Sequence, residues 1–504
     1  MVSIGFDNEK YLEEQTQAIL ERLGQCGGKL YLECGGKLLY DYHASRVLPG
    51  FDPNVKMRVF QTLKDKIDVI ICIYAEDIER RKIRSDFGIT YDTDVFKMID
   101  DFNSWNLNVS SVVITRFNGQ LGAVTFKNRL LRRGVKVYTH QATDGYPSDV
   151  DAIVSDIGYG SNPYIETQRP VVLVTGPGSG SGKMATCLSQ LYHDYKAGLK
   201  SCYAKFETFP IWNLPIDHPV NLAYEAATAD IGDIIQIDHY HLTANSVQAV
   251  SYSRDMEAFP LLKRIIEKIT GKSSFYRSPT EMGVNRCGFG IIDDEVVRKA
   301  AFQEIIRRYY TAACDYAKGI GALETINRIK ILMESLNIDL HMRKSVTAAD
   351  NALKRAIEKG KGKDGVVCAA ALELPDGTIV TGSNSEILHA SSALILNSVK
   401  YLAKIPKQID LIPKQTLESI GLLKKGVLEG KRVSLDLDET LIALAMSAPT
   451  NPSAQYALDQ LPQLKGSEVH LTHLPSSGDA NGLRKLGLNV TSEARFPSEN
   501  LFDE

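Results

Sequence analysis

An α/β architecture is predicted: a parallel-sheet, P-loop-like N-terminal region, a mainly helical middle region and a smaller α/β C-terminal domain. Three observations on this 504-residue chain carry it. Short β-branched or apolar runs alternate with helical stretches from Lys29 to about Pro210, the pattern of a parallel sheet. An apolar strand, Val171 to Thr175, runs into the turn Gly176-Pro177-Gly178-Ser179-Gly180-Ser181-Gly182-Lys183. Beyond Val220 the periodicity lengthens into helices, and the glycine- and charge-rich segment Lys359 to Gly365 marks a later boundary. The expected divisions are 1–225, 226–345 and 346–504.

Taken in order, the strand candidates are KLYLE, DVIICIY, SSVVITR, VKVYTH, DAIVSD, PVVLVTG and SCYAKF. After the glycine-rich turn, Met184, Cys187, Leu188, Leu191, Tyr192 and Tyr195 recur at helical spacing on one face, and Gly198 supplies a C-terminal stop. Asp255 to Ile269 and Asp294 to Ile329 read as long helices, the second capped by Asp293 or Asp294. The polar loop between them, Tyr276 to Asn285, is a candidate ligand-facing element. Gly365 to Val380 reads as a hairpin about Pro375-Asp376-Gly377, and Glu468 to Thr472 as a last strand.

The glycine-rich turn is the strongest chemical signal. Glycines let successive backbone N–H groups converge on an anion, and a lysine at a helix start adds charge where the helix dipole already favours it. The candidate binding residues are Gly176, Gly178, Ser179, Gly180, Ser181, Gly182, Lys183 and Thr186. Two departures from G-x-x-x-x-G-K-[ST] bear on mechanism: Pro177 stands at the first glycine, and Met184 replaces the hydroxyl residue that holds Mg²⁺. A metal would therefore draw on Ser181, Thr186, water or a carboxylate. For acids, position outweighs number, because ligands of an open α/β sheet gather at the carboxyl ends of its strands. Glu207 ends SCYAKF, Asp238 ends a Walker-B-like run DIIQID, and Asp156 ends DAIVSD. Lys183, Glu207 and Asp238 are the catalytic candidates. Asp41, His43 and Arg46 form a further polar cluster beside the first strand.

Composition is that of an ordinary soluble protein. A net charge of −3 gives no bulk field for nucleic acid, no apolar run is long enough to span a membrane, and the first residues lack a secretory signal, so a cytoplasmic location is expected. The eight cysteines form no C-x-x-C pair, which signals neither a disulfide framework nor a zinc site; Cys287 is kept as a site-adjacent thiol. The pairs His239/His241 and His470/His473 offer two ligands each, short of a zinc centre.

The long stretches VTGPGSGSGKMATCLSQLYHDYKAG, YAKFETFPIWNLPIDHPVNLAYEAATADIGD, RDMEAFPLLKRIIEKI with SPTEMGVN, and LIALAMSAPTNPSAQYALDQLP resemble the bacterial family called domain of unknown function 1846. That resemblance implies architecture and a bacterial setting but no reaction. The stretch VVCAAALELPDGTIVTGSNSEILHASSALILNSVKYLA is similar to the start of a cytidine-deaminase-type domain. There His389-Ala390-Ser391 replaces the H/C-A-E motif and no later cysteine pair exists, implying a non-catalytic or dimerising fold and a homo-oligomer. Asp436 to Thr440 fits D-x-D-x-T, a phosphatase nucleophile motif, but only 64 residues follow Thr440 in the 504, and a helix cap is the better reading.

The function expected is binding of a nucleotide (ATP or GTP, with Mg²⁺) or another phosphorylated metabolite, leading to phosphoryl or nucleotidyl transfer to a small molecule. The alternatives are a ligand sensor or scaffold without turnover, and an enzyme that anchors its substrate by phosphate without using ATP.

Overall fold

The computed structural model describes residues 4–84, 87–363, 365–430 and 433–498; Asp364 of the boundary segment, and Lys431 and Arg432, lie outside them. Six of the seven strand candidates form one parallel sheet: β1 (Lys29–Cys34), β2 (Ile67–Tyr74), β3 (Asn108–Thr115), β4 (Val137–Thr139), β5 (Val171–Thr175) and β6 (Ser201–Phe206). Every residue of β5 is buried, as an interior parallel strand with cover on both faces requires.

The strand order is β4-β3-β2-β5-β1-β6. The chain skips one place between β1 and β2, runs outward to β4, then returns to fill the gap with β5 and finishes at β6. Connections after β2 and after β5 therefore leave in opposite directions. This is the switch point at which the carboxyl ends of adjacent strands open a crevice.

DAIVSD does not join the sheet. Asp149 accepts a hydrogen bond from Ala152 N (3.0 Å) and starts a helical turn, Val150–Ile153, in its place. Asp156 is consequently an exposed residue paired with Lys196 and with Tyr192 Oη (2.8 Å).

Helix α1 (Asn8–Cys26) is capped by Asp7, which accepts from Glu9 N and Lys10 N. Helix α2 (Lys183–Lys196) follows the glycine-rich turn, and its Cys187, Leu188 and Leu191 pack against Tyr31, Ile70, Val172, Val174 and Tyr203 of the sheet, as the spacing predicts. Phe259, Leu262, Ile265 and Ile266 of α3 (Ser253–Thr270) join the same core. A separate antiparallel pair, β7 (Ile235–Ile237) and β8 (Val250–Tyr252), precedes α3. Cys26 and Cys202 are bonded, contrary to the expectation from their spacing. The β1–β6 register sets Lys29 opposite Ser201, which brings together two thiols 176 residues apart. The other six cysteines are buried and outside any disulfide.

Residues 226–345 do not make a unit of their own. The chain divides in two: the first unit runs to Glu225 and includes Gly232–Ala301, and the second contains Ala226–Ile231 and the chain from Phe302. The helix expected from Asp294 to Ile329 is two, α4 (Asp294–Ala317) and α5 (Leu323–Ser335), broken where Gly319 adopts φ 74°. Asp293 accepts from Val296 N (3.2 Å) at the start of α4.

The second unit holds α6 (Lys344–Glu358), the hairpin β9 (Ala369–Glu373) and β10 (Ile379–Ser383), α7 (Ala390–Leu402), α8 (Leu437–Ser447), β11 (Glu468–Leu471), α9 (Ser477–Lys485) and β12 (Asn489–Ser492). Its sheet order is β10-β9-β11-β12, with β9 antiparallel to both neighbours and β11 parallel to β12. Leu372, Leu394, Ile395, Leu437, Leu444, Val469 and Leu483 lie in its core. Asp436 and Glu439 form a reciprocal capping box on α8, so the D-x-D-x-T match is a helix start. Buried Arg343 donates to Glu468, Val469 O (3.1 Å), Asn489 O (2.9 Å) and Thr491 Oγ1 (3.0 Å), tying β11 to β12. No described helix is long and apolar enough to cross a membrane.

Candidate functional site

The glycine-rich turn leaves β5 at the switch point, and its glycines answer to close neighbours. A Cβ on Gly176 would stand 2.3 Å from Cys72 O of β2, so the chain passes there only without a side chain. Gly178 lies against the ring of Tyr91 in the same way, with 2.4 Å to Oη. Gly182 combines φ 89° with a position 2.7 Å from Thr115 Cγ2, at the end of β3.

Thr115 Oγ1 donates to Ser181 O (2.8 Å) and the Arg116 guanidinium to Gly180 O, which fixes two loop carbonyls toward the end of β3. Among the described residues, the amides of Ser179, Gly180, Gly182 and Lys183 have no protein acceptor. Lys183 Nζ folds back to donate to Gly178 O (3.1 Å) and Ser181 Oγ (3.4 Å). Ser179 is exposed and Ser181 buried. Thr186 is fully buried one turn into α2, with Cys72 Sγ 3.4 Å from its hydroxyl, so it lies beneath the loop rather than at its mouth.

Glu207 emerges from β6 at the same edge of the sheet. Its amide donates to Asn285 Oδ1 (2.7 Å), and its carboxylate lies over Gly35, where a Cβ would come within 2.3 Å of Oε1. Burial pushes this carboxyl up to about 7; Asp255 and Glu33 add to the shift, while Lys205 and Arg254 oppose it. Lys205 Nζ pairs with Asp255 (2.5 Å), and Tyr203 Oη donates to Glu33 Oε2 (2.5 Å). The loop Tyr276 to Asn285 is pinned by Arg22, which donates to Glu281 O (2.7 Å) and Tyr276 Oη (3.1 Å), and through Asn285 it positions Glu207.

Asp238 is elsewhere. Among the described residues its strand, β7, pairs only with β8, outside the parallel sheet. The buried carboxylate accepts from His241 N (2.9 Å), Thr280 N (3.1 Å) and Thr280 Oγ1 (2.6 Å), the contacts of a helix cap. Asp41 is likewise committed, to Ala44 N (3.0 Å) and buried Lys56 (2.6 Å). His43 packs between Phe209 and Tyr224, with ring centroids 5.5 and 5.3 Å away. Cys287 is buried, and burial raises its thiol, which suits a structural role rather than a reactive one.

The model described as domain of unknown function DUF1846, N-terminal, matches residues 4–337, and its C-terminal counterpart matches 341–502. The chain belongs to the DUF1846 family. It is similar to the UPF0371 protein of Clostridium tetani (strain Massachusetts / E88), at 55% identity over 501 residues and 99% of each chain. The UPF0371 protein of Fusobacterium nucleatum is 56% identical over 504 residues, and that of Clostridium botulinum (strain Langeland) 55% over 499, again with 99% of each chain covered.

In this DUF1846 chain sequence reasoning missed Glu33, on the strand directly beside β5 and opposite Val174. Glu33 raises and Lys183 lowers the pKa of the Cys187 thiol, which burial pushes up, so both charges lie near the first turn of α2. The signal was the acid that ends the run KLYLE, which the carboxyl-end rule could have picked; its place beside β5 needed the strand order.

Proposed function

We propose that the chain binds a phosphorylated small molecule in the crevice at the carboxyl ends of β1, β5 and β6. Its phosphate rests on the unpartnered amides of Ser179 to Lys183 and on the Lys183 ammonium, and Glu207 exchanges a proton with the rest of the ligand. The observation that carries this reading is the pairing, on one sheet edge, of an amide-lined loop with the Glu207 carboxyl over Gly35, which burial pushes up to about 7. Strand spacing decides what Glu207 reaches. It follows β6, two places from β5, or about 10 Å at ~4.8 Å per strand. That is too far to touch a phosphate in the loop but suits the body of a metabolite the loop anchors.

A second reading is a nucleoside triphosphate, ATP or GTP, with Mg²⁺ and phosphoryl or nucleotidyl transfer. It is favoured by the Ser181 hydroxyl beside Lys183 and by Glu33 one strand from the loop, a donor set able to hold a hydrated Mg²⁺. For the second unit we propose the deaminase-like fold without its zinc reaction, as a self-association module. The test is thermal stabilisation by pyrophosphate, ATP and sugar phosphates, with and without Mg²⁺. Lys183→Ala should abolish stabilisation without unfolding the chain, and unchanged stabilisation in that variant refutes the phosphate cradle. A shift that needs Mg²⁺ selects the triphosphate; one independent of metal selects the anchored metabolite.

A further inference from the structure

In the second unit, helix α7 begins buried and without a cap. The first amides of a helix have no acceptor inside it, and the preceding residue commonly supplies one. Here that residue is His389, whose side chain makes no cap bond because its Nδ1 lies 2.8 Å from Asp479 Oδ2. Ala390, Ser391 and Ser392 are nonetheless buried, and among the described residues their amides have no acceptor. Ser391 Oγ, in the same turn, is fully buried and has no hydrogen-bond partner. Ser392 Oγ donates to Leu435 O (3.1 Å), but a buried hydroxyl left unpaired costs about 1–3 kcal/mol, so Ser391 Oγ and the first-turn amides call for an acceptor from outside the chain.

His389 is held beside those donors. Asp479 is 1% exposed and is held by Leu437 N (3.0 Å) and Ser476 Oγ (2.9 Å). A carboxylate only accepts, so Nδ1 donates to it, and in the neutral imidazole Nε2 keeps the lone pair, on a ring 19% exposed. Asp436 is the other near charge, with its carboxylate against Gly478, where a Cβ would stand 2.0 Å from Oδ2. Two carboxylates beside the helix end disfavour a ligand that arrives as an anion; a neutral carbonyl fits, because the charge its oxygen gains is matched by the proton that Nε2 takes up in the same step.

We propose that the N-terminal end of α7 is a second site, which takes an uncharged ester or amide with its carbonyl oxygen on the first-turn donors and His389 as general base. Nε2 accepts a proton from water as the water oxygen bonds to the carbonyl carbon, and the carbonyl π pair moves onto the oxygen facing the α7 amides. Collapse re-forms the carbonyl and breaks the bond to the alcohol or amine. The leaving group takes the proton from Nε2 and a carboxylic acid is released. Asp479 is a positioning residue.

The experiment is hydrolysis of p-nitrophenyl acetate by the full chain. His389→Gln should lower the rate at least tenfold, and Asp479→Asn should lower kcat with little change in KM and displace the pH profile. His341→Gln, at an exposed histidine of the same unit, should leave the rate unchanged. Equal rates in His389→Gln and the wild type, or an equal loss in His341→Gln, overturn the proposal. Should His389→Gln fail to fold, diethyl pyrocarbonate is applied to the wild type. Loss of hydrolysis in step with His389 modification, read by peptide mass spectrometry, supports the site, and full activity after that modification refutes it.

Discussion

Replacing Glu207 by Gln keeps the shape of the side chain and removes its charge, and the structure fixes the sign of the result. The folded carboxyl titrates near 7 against an ordinary 4.5, so between those values the folded chain binds more protons than the unfolded one. Stability from this group is fully present below about 4.5 and is lost as pH rises through about 7. The gap, 7 − 4.5 = 2.5 units at about 1.36 kcal/mol each, makes the ionised group cost up to about 3 kcal/mol. Glu207 keeps partial contact with solvent, which reduces the expected effect to about 1–2 kcal/mol. Glu207→Gln should therefore stabilise the first unit by about that amount at pH 8 and by little at pH 5. Both tryptophans, Trp105 and Trp212, lie in the first unit, so urea unfolding followed by tryptophan fluorescence reports on it directly. Parallel pH dependences in wild type and variant would refute the assignment of a neutral-range carboxyl to Glu207.

Gly176→Ala drives a methyl group into Cys72 O and should cost about 1–3 kcal/mol together with the phosphate response, read by thermal shift with pyrophosphate. Arg343→Met removes the donor shared by β11 and β12 and strips Glu468 of one partner, for an expected loss of about 3 kcal/mol by calorimetry. Reducing the Cys26–Cys202 bond opens a loop of 176 residues and should lower the stability of the first unit by about 3–5 kcal/mol; an unchanged urea midpoint in reductant contradicts it.

What was legible in the sequence was what local physics determines. Six of the seven β-branched runs, the helical stripe from Met184 to Tyr195 and the hairpin about Pro375-Asp376-Gly377 depend on neighbours a few residues away, and each forms where its pattern places it. DAIVSD failed locally as well, because Asp149, just upstream, offers the backbone a cap that a strand count ignores. Cys26 and Cys202 were illegible for another reason: their meeting depends on the β1–β6 register, which nothing near either residue encodes.

The candidate acids show why a site is harder to read than a fold. Glu207 and Asp238 each end a short apolar run, and by sequence they are equivalent. The structure separates them by which sheet the run joins: β6 pairs with β1 in the parallel sheet, whereas β7 turns back on β8. One carboxylate is then left over Gly35 among Lys205, Asp255 and Glu33, and the other is consumed by three donors from its own neighbourhood. Glu33 is the converse case: it ends the run KLYLE, so the carboxyl-end rule would have chosen it, but sequence reasoning passed it over, and it lies beside β5 because the chain returned to fill the place between β1 and β2. Strand order thus decides which acids can serve the loop. A chemical role for Glu33 or Glu207 predicts that exchanging their carboxylates for amides will separate metal-dependent ligand binding, through Glu33, from a pH-dependent step, through Glu207. If Glu33→Gln and Glu207→Gln instead alter both properties alike, the two acids act as one electrostatic cluster and the spacing argument fails.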